Sequence, residues 1–233
     1  MPVPKNTSIA RVGRWTLGLL IALLVLVFPY FFYRWEYTHS KRLRVVVPGR
    51  VYRSGQMTAS GFAEAVEGLH LRTIINFQDD YPDPDIDEDY FGGKTIKESE
   101  LGKQLGVRYI FIAPDVIPRR WASEFRPEAI DKALAILDDP ATYPVLFHCH
   151  AGLHRTGVIT AIYRMEYQGW SREAAYRELR ENGFGAWPGT SANEYISQYV
   201  LTYQPGIRNR PEQRLTGRFG PLPELKQAEV ERH

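Results

Sequence analysis

Apolar and polar positions divide the chain into three unlike stretches. From Trp15 to Tyr33, nineteen residues run without a charge. A helix of that length spans about 28 Å, close to a bilayer's hydrocarbon thickness. Trp15, Tyr30, Tyr33 and Trp35 stand where interfacial aromatics belong. The pattern predicts a transmembrane anchor over 15–33, a polar segment over 1–14 and a juxtamembrane linker over 34–43. Buried helices of soluble domains rarely lack polar residues for so long. No Ala-x-Ala-like cleavage site follows, so an uncleaved anchor is expected rather than a signal peptide.

From Arg44 the pattern shortens into apolar runs that alternate with helical periodicity. Arg44–Val47, Val51–Ser54, Leu71–Phe77, Val107–Ala113 and Tyr143–Phe147 read as strands. Helices are expected over Gly61–Leu69 with Thr58 as N-cap, around Thr95–Leu105, and over Pro127–Asp138, where Ala129, Ile130, Ala133, Leu134 and Leu137 recur at helical spacing. Three more follow: Gly157–Tyr167, Ser171–Glu181 with Ser171 as N-cap, and Thr190–Tyr203. Strands alternating with helices predict an α/β domain, a central sheet flanked by helices, over 44–203. From Gln204 the chain is rich in Pro, Gly, Arg and Glu and is expected to be a disordered tail over 204–233.

Composition narrows the function classes. The 233 residues carry a net charge of +2, which implies no nucleic-acid footprint. A single cysteine excludes an internal disulfide and leaves that thiol with no resolving partner in the chain. Basic residues flank both ends of the apolar run, so charge does not set its orientation. A reactive thiolate works best in a reducing compartment, which favours a single-pass membrane protein with its catalytic domain on the cytoplasmic side. The run Asp79 to Asp89, with two prolines, reads as a solvated acidic loop. Counted from Asp83, its sixth position is Glu88 and its twelfth Lys94, where an EF-hand needs Gly and Glu.

The chemistry concentrates in His148-Cys-His-Ala-Gly-Leu-His-Arg-Thr-Gly157. An apolar strand leads in and a helix leads out, so the amides of residues 150–155 and the helix's positive end can converge on one anion. Cys149 at its floor would be held as thiolate, a nucleophile. Arg155 offers a planar fork for two phosphate oxygens, and Thr156 can donate its hydroxyl to the sulfur. The substrate-binding set is then His150, Ala151, Gly152, Leu153, His154 and Arg155. His148 is expected to bond loop carbonyls in support of the thiolate, and His150 and His154 to line the rim with partial positive charge. Three histidines on so tight a loop cannot converge on an ion while the amides converge elsewhere, so no metal is expected. No other cofactor is implied. Arg53 is read as reaching a substrate phosphate or pairing with a surface carboxylate, and Arg119 and Arg120 as contacting substrate or as solvated.

At these residues the sequence resembles the cysteine-dependent protein tyrosine phosphatase superfamily, whose signature is His-Cys, five residues, Arg, then Ser or Thr. Gly152 and His154-Arg-Thr-Gly157 look most like its atypical dual-specificity phosphatases. Val51-Tyr-Arg-Ser-Gly-Gln56 and Leu71-Arg-Thr-Ile-Ile-Asn-Phe77 are similar to that family's opening. The resemblance implies a dual-specificity phosphatase fold, a phosphocysteine intermediate, and a general acid about thirty residues before the cysteine, a placement that Asp115 matches. Its substrates would be a phosphorylated protein or a small phosphorylated molecule, and the lipid bilayer would be a partner through 15–33. Family members that act on inositol phosphates tend to carry Lys or Arg inside the loop, where this chain has His150 and Leu153. A tethered module that binds a phospho-ligand with little turnover, or a phosphatase of inositol phosphates or lipid phosphates rather than protein, is the competing reading. An arsenate reductase or sulfur transferase ranks below both for want of further cysteines.

Overall fold

The computed structural model describes residues 7–78, 81–89, 92–114, 119, 122, 126–186 and 194–207. The first helix, α1, runs over Thr7–Arg34 and so begins well before the predicted anchor. Its apolar side chains from Val12 to Tyr33 are exposed, and it is long and apolar enough to cross a membrane. The helix widens into a π-helical turn, Trp35–His39, and the chain reaches the sheet through Lys41 and Arg42. The expected linker is therefore packed structure. His39 is buried, stacks on Trp35, and lies 3.1 Å from Thr58 Oγ1.

Among the described residues seven short strands follow in two sheets. The main sheet has the order β1(Arg44–Val47), β2(Val51–Gly55), β7(Val145–Cys149), β3(Thr73–Asn76), β6(Arg108–Phe111). All neighbours pair in parallel except β1 and β2. Central parallel strands must be covered on both faces, and alternation along β7 supplies the two faces. Val145, Phe147 and Cys149 join a core under α4(Glu128–Leu137), α5(Arg155–Gln168), α6(Arg172–Glu181) and α7(Gln198–Leu201). Leu146 belongs to the opposite core, with Phe62 of α2(Ala59–Leu69) and Leu101 of α3(Glu98–Gln104). The caps form as their side chains dictate: Thr58 accepts from the Gly61 N–H and Ser171 from the Ala174 N–H.

Two regions depart from the sequence reading. Within the acidic run, Asp85–Asp87 forms β4, pairing antiparallel with β5(Thr95–Lys97). Ile86 is buried under this hairpin while Asp85 and Asp87 stay in solvent, so one apolar residue decides the strand that the acids disguise. The helix expected to begin at Thr95 accordingly begins at Glu98. The helix expected over Thr190–Tyr203 is, among described residues, a short α7 preceded by a 3-10 turn over 194–197. Asp115, Arg120 and the tail beyond residue 207 lie outside the described residues.

Candidate active site

The site is built where β7 ends and α5 begins, at the carboxyl end of the central parallel strand. Cys149 is the last residue of β7 and Arg155 the first of α5. The five residues between them must reverse the chain, and Gly152 does so at φ 71. A Cβ at Gly152 would come 2.4 Å from the Gly55 nitrogen and 2.6 Å from the Ser54 carbonyl carbon. The loop is thus seated backbone to backbone on the end of β2, an approach open to Gly alone.

Its carbonyls are tied from outside. The Gln56 N–H donates to the His150 carbonyl at 3.1 Å, the Arg42 guanidinium to Ala151 O at 2.8 Å, and the Arg53 guanidinium to Gly152 O at 2.8 Å. A planar trans peptide sets each carbonyl opposite the next N–H. Fixing these three outward turns the amides of Ala151, Gly152 and Leu153 toward the loop's interior. Arg53 is thereby a buttress rather than a substrate ligand. It is buried, and burial together with the charge of Arg44 brings its pKa down to about 10. Lys41, on the segment before β1, has its pKa lowered by burial and by Arg42 and raised in part by Cys149.

Cys149, His150, Ala151, His154 and Arg155 share one cavity of about 290 Å³. The remaining lining is mostly apolar, with Phe77, Pro114, Ile130, Val158, Ile159 and Tyr199 among it. Gly152 and Leu153 do not line it. Leu153 is buried, so both can serve the cavity only through their amides.

Three expected roles are corrected. His148 does not bond loop carbonyls. Strand alternation turns it to the face opposite Cys149, where its ring meets Phe62 edge-on and Nε2 lies 2.5 Å from Glu98 Oε1, without hydrogen-bond alignment. Glu98 Oε2 in turn accepts from Asn76, which also donates to the Tyr109 hydroxyl. Thr156 does not reach the sulfur, and its hydroxyl is buried with no hydrogen-bond partner. Successive helical residues diverge by about 100°, so with Arg155 on the cavity Thr156 is carried into the core. His154 adds less positive charge at neutral pH than an ordinary histidine would, because burial and, less, Arg155 hold its pKa below the ordinary 6.5. His150 is exposed at the cavity, and Arg119 is exposed. Among the described residues no cluster of His, Cys, Asp or Glu could hold a metal ion.

Arg42, Arg53, Gln56 and Glu98 were the residues that local pattern missed or misread. Arg42 and Arg53 reach the loop across 109 and 99 residues of sequence.

A thiol at the start of a loop whose carbonyls are tied outward, with an arginine at the helix start, defines a cysteine-based phosphatase. The chain belongs to the tyrosine phosphatase family, whose model matches residues 41–212, and it is an enzyme of that family's atypical dual-specificity kind. Its relatives include OCA1 of Mycosarcoma maydis, which carries a tyrosine-protein phosphatase name. That protein is 35% identical over 135 residues, 58% of this chain and 76% of its own length. The inositol diphosphatase SIW14 of Saccharomyces cerevisiae is 30% identical over 139 residues, 59% of this chain but 44% of its own. The crystal structure of the SIW14 core catalytic domain matches the fold with a TM-score of 0.51 at 22% identity, covering 70% of this chain and 85% of that one.

Proposed function

We propose that the chain is a membrane-tethered phosphomonoesterase that works through a phosphocysteine. Cys149 Sγ attacks phosphorus, the bond to the ester oxygen breaks, and Asp115 protonates the departing oxygen. Water then attacks the phosphocysteine, gives its proton to Asp115, and releases phosphate and the free thiolate. Arg155 and the amides of the loop hold the phosphoryl oxygens as charge shifts among them. The observation that carries this reading is the outward tethering of three consecutive loop carbonyls around a cavity shared by Cys149 and Arg155. Asp115 directly follows Pro114, which lines that cavity, and this supports its assignment as general acid.

The lining also bears on the substrate. Among its described residues Arg155 is the sole permanent cation, and most of the wall is apolar. This supports a phosphate ester on an aromatic or apolar body, such as phosphotyrosine. The likeness to an inositol diphosphatase supports a second reading, an inositol diphosphate. In a panel of p-nitrophenyl phosphate, phosphotyrosine peptides and inositol diphosphates, the aryl esters are expected to give the higher kcat/KM. Cys149→Ser is expected to abolish turnover of them all, and turnover that survives it would remove the phosphocysteine. Asp115→Asn is expected to lower kcat on phosphotyrosine by roughly 10²-fold or more, and less on the readily departing p-nitrophenolate. Equal losses on both substrates would remove Asp115 as the acid.

A further inference from the structure

We propose that Arg42, on the segment that joins the apolar helix to the sheet, is a positioning residue for the phosphate loop, so that the turn between helix and domain is part of the catalytic machinery. The inference rests on the phosphatase reading above. Of the three donors that tether the loop's carbonyls, the Gln56 amide and the Arg53 guanidinium come from β2 and the residue after it. The third comes from outside the sheet. The Arg42 guanidinium holds the Ala151 carbonyl at 2.8 Å, and the peptide it fixes is the one that carries the Gly152 N–H. Without that donor the Ala151–Gly152 peptide, next to the one glycine of the loop, is free to rotate and to turn its N–H away from phosphate.

The backbone that delivers Arg42 is built for this contact. Lys41 and Arg42 lie consecutively at φ 37 and 61, in the left-handed region, without a glycine to ease it. That conformation is strained for any residue with a Cβ, so the surrounding structure must hold it. It does so directly: the Gly55 N–H donates to Lys41 O at 2.7 Å and the Arg42 N–H to Glu36 O at 3.2 Å. The guanidinium is also held over the Tyr37 ring, 4.9 Å from its centroid. Gly55 is the same residue on which Gly152 is seated, so turn, strand end and loop meet at one point. A surface arginine with no structural duty needs neither the strained turn nor the aromatic platform.

The test uses the full chain in detergent micelles, with p-nitrophenyl phosphate as substrate and vanadate as an oxyanion probe. Arg42→Met keeps the stem over Tyr37 and removes the donor. It is expected to lower kcat roughly 10- to 100-fold, to leave KM within about threefold, and to weaken vanadate inhibition about tenfold, as the loss of one aligned oxyanion donor does. Methylguanidinium added to Arg42→Ala is expected to restore part of kcat. A role in folding alone would lower the melting temperature and leave kcat per folded molecule unchanged. An Arg42→Met enzyme whose kcat and vanadate inhibition both lie within about twofold of wild type overturns the proposal. Should that variant not fold, Arg42→Gln decides, since its shorter amide cannot reach the Ala151 carbonyl that the guanidinium holds at 2.8 Å: a clear fall in kcat supports the proposal and wild-type behaviour overturns it. Activity that survives Cys149→Ser would fault the phosphatase reading, whereas an inactive Cys149→Ser beside an unaffected Arg42→Met faults this inference alone.

Discussion

His154 shows how a residue next to the helix start responds to its surroundings. It is half-buried with its ring edge-on to Phe184, and burial first, then the Arg155 charge, keeps it neutral to lower pH than in the unfolded chain. The unfolded chain therefore takes up a proton near pH 6.5 while the folded protein does not. In the window between the folded pKa and 6.5 the unfolded state binds more protons, so stability falls as pH falls. Below the folded pKa this loss levels off, and above 6.5 it is absent. The melting temperature is expected to drop as pH falls through 6.5 toward the folded pKa, and His154→Asn to remove part of that drop. A variant whose melting temperature tracks wild type across the range would show that the shift has another origin. Cys149 and Arg155 were legible in the sequence because their chemistry depends on spacing within one loop. His148 and Thr156 were misread because their roles depend on which way each side chain turns, and strand and helix periodicity settle that only once the element boundaries are known.

Between elements, the decisive contact is the loop on β2. A Cβ at Gly152 would strike the Gly55 nitrogen and the Ser54 carbonyl, backbone atoms that cannot yield without unpairing β2 from β7. The positive φ adds strain to the clash. Gly152→Ala is therefore expected to cost about 2–5 kcal/mol in denaturant unfolding and to lose most turnover. Full stability would mean that the loop can lift off the strand end at little cost. The sheet's helices and most of its strands could be read from periodicity, and both helix caps from their hydroxyls. The β4–β5 hairpin could not be read so, since one buried isoleucine among acids leaves no alternating pattern. Nor could the tethers from Arg42 and Arg53, because an arginine in an exposed-looking run carries no local sign that its partner is a carbonyl a hundred residues away.

For the molecule as a whole, the apolar helix and the catalytic loop are close neighbours along the structure. Arg42, which touches the loop, lies eight positions after Arg34, the end of α1. Even fully extended that stretch would reach no more than about 28 Å, and the π-helical turn shortens that. If α1 spans a bilayer, as we propose, the loop is held near the membrane surface by a packed turn and not by a slack linker. The energetics favour such a span. The run from Trp15 to Tyr33 has no charge, each large apolar side chain among these residues contributes about 1.5–3 kcal/mol on leaving water, and none is used to cover the domain's core. The full chain is accordingly expected to stay with the membrane fraction through an alkaline carbonate wash and to be released by detergent, while a chain that lacks residues 1–34 partitions into the supernatant. Release of the full chain by carbonate would leave α1 lying against a surface or another protein, and its exposed apolar faces would need a different cover.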